Sequence, residues 1–137
     1  MKLVLLMIPF LVASHAVLSE RGNQRSTRTR PPESIGCSRD ELTVYTGRVT
    51  SYRRRPDRLT IVIHTDADTT ERVVVRLPKG NELARAFRLR GQPFGAKDWE
   101  QIESSPGRAR AGLRAAAWVC ENGSVLVDWD APREDGR

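Results

Sequence analysis

The chain has 137 residues, with 23 lysines and arginines against 17 acids, 39% hydrophobic residues and only 6% aromatic ones. That length allows one domain, and the mixed charge and apolar content are wrong for a wholly disordered chain. With no second long apolar run, a polytopic membrane protein is also excluded.

The first element is residues 1–19. Met1-Lys2 precedes an apolar run from Leu3 to Val12 and then the small residues of Ala13-Ser14-His15-Ala16. This reads as a secretory signal peptide, cleaved after Ala16 or Ser19, and it predicts a secreted or periplasmic protein. The run is shorter than the roughly 20 residues a membrane span needs, so no stable span is expected after cleavage. Residues 20–36 hold Arg21, Arg25, Arg28 and Arg30 among Gly, Asn, Gln, Ser, Thr and Pro, with almost nothing apolar to bury, and read as a flexible arginine-rich leader. Export also bears on Cys37 and Cys120, the only two cysteines. In an oxidising compartment they are expected to pair, the alternative being two separate buried thiols; two cysteines have no metal-site spacing.

The expected folded domain is residues 37–130, followed by a polar tail at 131–137. Its first strand runs from Glu41 to Tyr52. Leu42 and Val44 share one face and Val49 falls on the other, so a bulge or bend is expected near Gly47. The second strand, Leu59 to His64, turns Leu59, Ile61 and Ile63 inward; the third, Thr70 to Leu77, turns Val73, Val75 and Leu77 inward. Short polar connectors make these three an antiparallel meander. Asn81 to Gly91 has a capping Asn, apolar Leu83, Ala86 and Phe87, and a terminating Gly, which predicts a helix. A further helical turn is expected over Lys97 to Glu103, presenting Trp99 and Ile102, stopped by Ser105-Pro106-Gly107. Two final strands, Leu113 to Cys120 and Val125 to Trp129, meet at Asn122-Gly123, a strong hairpin signal. On strand parity Trp118 faces away from Leu113, Ala115 and Ala117, beneath the helical connection.

A bent first strand with a mid-strand glycine, a meander, a helical connection and a closing hairpin together resemble the OB-fold, a five-stranded Greek-key barrel. Thr46-Gly47-Arg48-Val49, Leu59-Thr60-Ile61 and Gly112-Leu113-Arg114 are similar to small exported bacterial OB-fold proteins. The resemblance covers Cys37 to Trp129 and matches no family of defined activity. It implies a mainly β fold with a helical connection between strands three and four. It also implies antiparallel pairing of the first and fourth strands, which would bring Cys37 beside Cys120.

The sharpest candidate site is Tyr52-Arg53-Arg54-Arg55-Pro56-Asp57-Arg58. Guanidinium groups beside an aromatic ring suit anions, so Tyr52, Arg53, Arg54, Arg55 and Arg58 are the expected ligand-binding residues. A solvated hairpin tip that protects a strand edge is the plainer reading. An anionic ligand or acidic protein surface fits an exported protein better than nucleic acid, which it rarely meets. His64, Asp66, Asp68 and Glu71 superficially suggest a metal site, but the glycine and terminal glutamate of a calcium loop are missing, and turn-capping by Asp and Thr accounts for them. After cleavage His64 is the sole histidine, with no nucleophile motif near it, so neither catalysis nor a cofactor is expected. Asp128 and Asp130 flank Trp129 and are expected to face outward. Two function classes follow. One is a non-catalytic module binding an anionic ligand or macromolecular partner through the basic loop. The other is a structural or envelope-stress protein docking on a protein partner through its barrel surface. The sequence leaves oligomeric state open.

Overall fold

The computed structural model describes residues 31–132. The expected signal peptide, the leader as far as residue 30 and the tail from residue 133 lie outside the described residues. Among the described residues, no helix is long and apolar enough to cross a membrane.

The protein is mainly β. The first three strands are β1 (Leu42–Arg54), β2 (Arg58–Thr65) and β3 (Thr70–Arg76). Short elements follow: helix α1 (Leu83–Ala86), strands β4 (Phe87–Leu89) and β5 (Gln92–Pro93), helix α2 (Trp99–Ile102), and strands β6 (Glu103–Ser105) and β7 (Arg108–Ala109). Strands β8 (Arg114–Cys120) and β9 (Val125–Asp130) are the last described elements.

Alternation fixes which side of each strand is buried. Leu59, Ile61 and Ile63 are wholly buried, and Val73 and Val75 nearly so, while Thr60, Val62 and His64 face the other way. The meander therefore lines one wall of the core. Ala115, Ala117, Val127 and Trp129 line the other, with Phe87, Phe94 and Ile102 between. Burying branched side chains on one face of a pleated sheet is the main stabilising term for such a fold.

β1 belongs to both walls. Leu42–Arg48 pair with β8, and Gly47–Arg54 pair with β2, so Gly47 and Arg48 sit where the strand passes from one neighbour to the other. A Cβ at Gly47 would fall on the His64 carbonyl oxygen and 2.7 Å from Thr65 Cα. Gly47 thus permits the close approach of β2; the register shift itself lies between Val49 and Ser51. That placement differs from the one expected and has a consequence for the arginines. Tyr45, Gly47 and Val49 point inward, and so do Tyr52 and Arg54 after the bulge.

The expected five-stranded barrel is corrected to a larger, unclosed assembly. Seven strands form one mixed sheet in the order β3-β2-β1-β8-β9-β4-β5, with β6 and β7 as a separate pair. Among the described residues, only β4 and β9 run parallel. The cause lies in residues 81–91, expected as one helix. The helix stops after Ala86 because Phe87 and Leu89, two apart, are both buried in the core as a strand beside Val127 and Trp129. Arg90 (φ 49°) and Gly91 (φ 79°) then form the tight turn into β5. Tertiary burial of Phe87 and Leu89 ends the helix that Leu83-Ala84-Arg85-Ala86 begins. The expected turn over 97–103 is found as a 3₁₀ turn at Ala96–Asp98 running into α2. Asp98 Oδ2 caps it by accepting from the Gly95 N–H at 2.8 Å.

Cys37 and Cys120 form a disulfide, with Cα atoms 6.0 Å apart. The bond is consistent with an oxidising compartment. It also anchors the chain ahead of β1 across the outer face of the sheet. Ser34 Oγ accepts from Arg88 Nη2 at 2.9 Å, and the Gly36 carbonyl lies 3.5 Å from Asn122 Nδ2. These anchors tie residues 34–37 to Arg88 of β4 at one end and to the end of β8 at the other, on the face that holds Trp118 and Leu126. Trp118 does face away from the core, as parity requires, yet is 1% exposed. The expected cover was the helical connection, whereas the chain anchored across this face is 34–37.

Candidate functional site

The bulge after Val49 sorts the arginines of residues 53–58 into two groups. Tyr52 and Arg54 turn inward beneath α2. Arg53, Arg55 and Arg58 turn outward, so the structure does not bring the five expected residues together on one surface.

The inward pair meets Glu103, the only buried acid among the described residues. Tyr52 Oη donates to Glu103 Oε1 at 2.6 Å, while Arg54 Nε and Nη2 donate to the two carboxylate oxygens, each at 2.6 Å. This is the fork-to-fork geometry that a planar guanidinium makes with a carboxylate. Burial alone would raise the Glu103 pKa. Hydrogen bonds from Arg54, Tyr52 and the Gly107 N–H, with the Arg54 charge, outweigh burial and hold the carboxyl below its ordinary range. Burial first, and then the hydrogen bond to Glu103, push the Tyr52 hydroxyl far up, so it is a fixed donor. Arg54 also lies 4.6 Å from the centre of the Trp99 ring. Trp99 packs edge-on against Phe87 and Phe94, at 5.3 and 4.8 Å between ring centres. Tyr52, Arg54 and Glu103 therefore clamp the α2–β6 segment onto the meander. Their donors and acceptors are used within the protein, which leaves little to offer a ligand.

The outward group lies on the free face of the meander. Cross-strand register places Ser51, Val62 and Arg72 in one row, Arg53, Thr60 and Val74 in the next, and Arg58 opposite Arg76 in a third. Arg55 joins this last row, its N–H bonded to the Arg58 carbonyl at 2.8 Å. A shallow depression of about 420 Å³ lies here, and no acidic side chain lines it. Among the described residues, none of the guanidiniums of Arg53, Arg55, Arg58, Arg72 and Arg76 joins a hydrogen bond or ion pair. Arg88, Arg90 and Arg114, by contrast, are bound to Ser34, the Ala131 carbonyl and Asp66. Like charges directly opposite one another, as at Arg58 and Arg76, are destabilising in a sheet. Arg72 and Arg76 were not among the expected site residues. The signal for them was present, since turning Val73 and Val75 inward turns Arg72 and Arg76 outward.

The remaining candidates are structural. At the β2–β3 turn, the Thr65 and Thr69 hydroxyls lie 2.8 Å apart and the Thr69 N–H donates to Thr65 Oγ1. Asp66 is held by Arg114 at 2.8 Å, and His64 Nε2 lies 3.3 Å from Asp68 Oδ1. The two threonines close the turn as expected, whereas Asp66 is tied across to β8 by Arg114 instead of capping the turn. Asp128 faces outward, half-buried, and accepts from the Gly91 N–H at 3.0 Å. Burial raises its pKa, against the opposing pull of Gly91 and Arg88.

Set beside protein-family models, curated proteins and solved structures, the chain matches none of them. The functional reading rests on this geometry.

Proposed function

We propose that this chain is an exported, non-catalytic OB-fold-like module that binds an anionic ligand through the outer face of β1, β2 and β3. Five principal strands in the order β3-β2-β1-β8-β9, with β1 shared between both walls, support the OB likeness. The observation that carries the function is the depression ringed by Arg53, Arg55, Arg58 and Arg72, whose guanidiniums have no partner among the described residues. Each guanidinium presents a fork of donors with no acceptor among the described residues, and no acid lines the depression. Arg53, Arg55, Arg58, Arg72 and Arg76 are the binding residues, while Tyr52 and Arg54 hold the cap.

The test is binding of labelled dextran sulfate and of a labelled single-stranded oligonucleotide to the full chain, at about 50 and 200 mM salt. Arginine-driven binding weakens steeply across this range, and replacing Arg53, Arg55, Arg58 and Arg72 with serine abolishes it. Binding that ignores salt, or survives those four substitutions, would overturn the assignment in favour of apolar docking.

A further inference from the structure

The layout of the arginine face restricts what the anion can be. We infer that its ligand is a linear acidic polysaccharide, a chain of sulfated or uronate sugars, lying across the meander; this rests on the anion-binding reading above.

The first restriction is size. Arg72 and Arg76 are four residues apart on β3, which separates their Cα atoms by about 14 Å. Arg53 and Arg72 stand on β1 and β3, two strand spacings apart, or about 10 Å across the sheet. The positive groups thus rim an area rather than converge on a point. A lone phosphate or sulfate reaches one corner of it, whereas an extended chain with several charges engages opposite sides together. The depression is also shallow, unlike the enclosing pockets that surround small molecules.

The second restriction is the floor. Between the arginines lie Thr60, Val62 and Val74, with Ser51 at one side. Val74 is 48% exposed, one of two large apolar side chains left so open among the described residues. A floor of methyl groups and two hydroxyls suits the C–H faces and hydroxyls of sugar rings. It does not suit bases, which bind single-strand proteins by stacking on aromatic rings. The aromatic rings of the described residues lie elsewhere, in the core and under the cap or on the opposite wall. A disulfide-bonded protein of an oxidising compartment also meets acidic polysaccharides more readily than nucleic acid.

The experiment is calorimetric titration of the full disulfide-bonded chain with sulfated oligosaccharides of one, two, four and eight sugars. An oligothymidylate matched in charge and vesicles containing phosphatidylglycerol are run at the same ionic strength. A basic protein binds polyanions loosely anywhere, so R53S/R72S is compared with R39S/R108S, an equal charge loss away from the face. Affinity should rise at least tenfold from one sugar to four. R53S/R72S should lose about tenfold per arginine, the value of a charge-assisted hydrogen bond, and R39S/R108S much less. V74S should cost about threefold for the sugar chain through lost apolar contact, and little for the oligothymidylate. Equal or tighter binding of oligothymidylate or vesicles, still sensitive to R53S/R72S, would overturn the polysaccharide assignment and leave the anion face standing. Equal losses in the two double variants, or no binding of any polyanion, would overturn both.

Discussion

Replacing Glu103 tests whether the cap is held by the buried clamp. Three hydrogen bonds of 2.6 Å converge on a carboxylate whose side chain is 4% exposed, and Arg54 is 28% exposed. Glu103→Ala strands a largely buried guanidinium and leaves the Tyr52 hydroxyl without its acceptor. Breaking a buried pair in this way costs about 3–5 kcal/mol, and the partial exposure of Arg54 places this case near 3. Glu103→Gln keeps the shape and one acceptor but loses the charge, for a cost of about 2 kcal/mol. Urea unfolding at pH 7 would read the alanine variant as a midpoint shift of about 1.5 M, for a slope of about 2 kcal/mol per molar. The pH dependence gives an independent sign. Glu103 has a folded pKa below its unfolded value, so its contribution is complete above the unfolded value, about 4.3, and is lost as pH falls through the folded one. The gap between wild type and Glu103→Gln should therefore narrow below about pH 4. A Glu103→Ala protein within about 0.5 kcal/mol of wild type at pH 7 would refute the clamp. So would a gap to Glu103→Gln that stays constant as the carboxyl is titrated.

Three further outcomes follow from the geometry. Serine at both Cys37 and Cys120 opens a loop of 83 residues and should cost about 4.5 kcal/mol in the chain-entropy account, read as a lowered urea midpoint; a loss under 1 would count against it. Gly47→Ala must drive a methyl into the β2 backbone and should destabilise by about 3 kcal/mol or more, whereas a near-neutral result in thermal unfolding would show that β1 and β2 can part without cost. Arg53→Ser and Arg72→Ser should each leave stability within about 0.5 kcal/mol, while Arg54→Ser, which abandons Glu103, should cost about 3. Circular-dichroism melts separate the two kinds of arginine.

Much of the core was legible because strand alternation is a local signal. Leu59, Ile61, Ile63, Val73 and Val75 needed only parity, and Asn122-Gly123 needed only turn chemistry. The disulfide was legible from two cysteines and the expectation of export. The division between Arg53 and Arg54 was not. It depends on a one-residue shift after Val49, and a bulge is set by pairing with β2 rather than by the residues that form it. Gly47 drew the expected bend toward itself, although its missing side chain serves the approach of β2. Glu103 was equally hidden, because an acid beside Ser104-Ser105-Pro106 reads as surface until Tyr52 and Arg54 are known to face it. The strand Phe87–Leu89 was masked by the helix-forming residues before it, and only core burial distinguishes the two periods over so short a run.

The β8–β9 hairpin divides the tryptophans into separate compartments. Trp129 lies in the core on one side of the β8–β9 hairpin, and Trp118 on the other side, the face to which residues 34–37 are anchored. Freeing that segment parts the Cys37–Cys120 bond and the contacts at Ser34 and Gly36 and leaves the sheet hydrogen bonds intact. A region so held forms its own cooperative unit, with an opening free energy below that of the whole domain. Mild reduction should then red-shift the emission of Trp118 while Trp129 still reports a folded interior, giving one small domain two separable melting events.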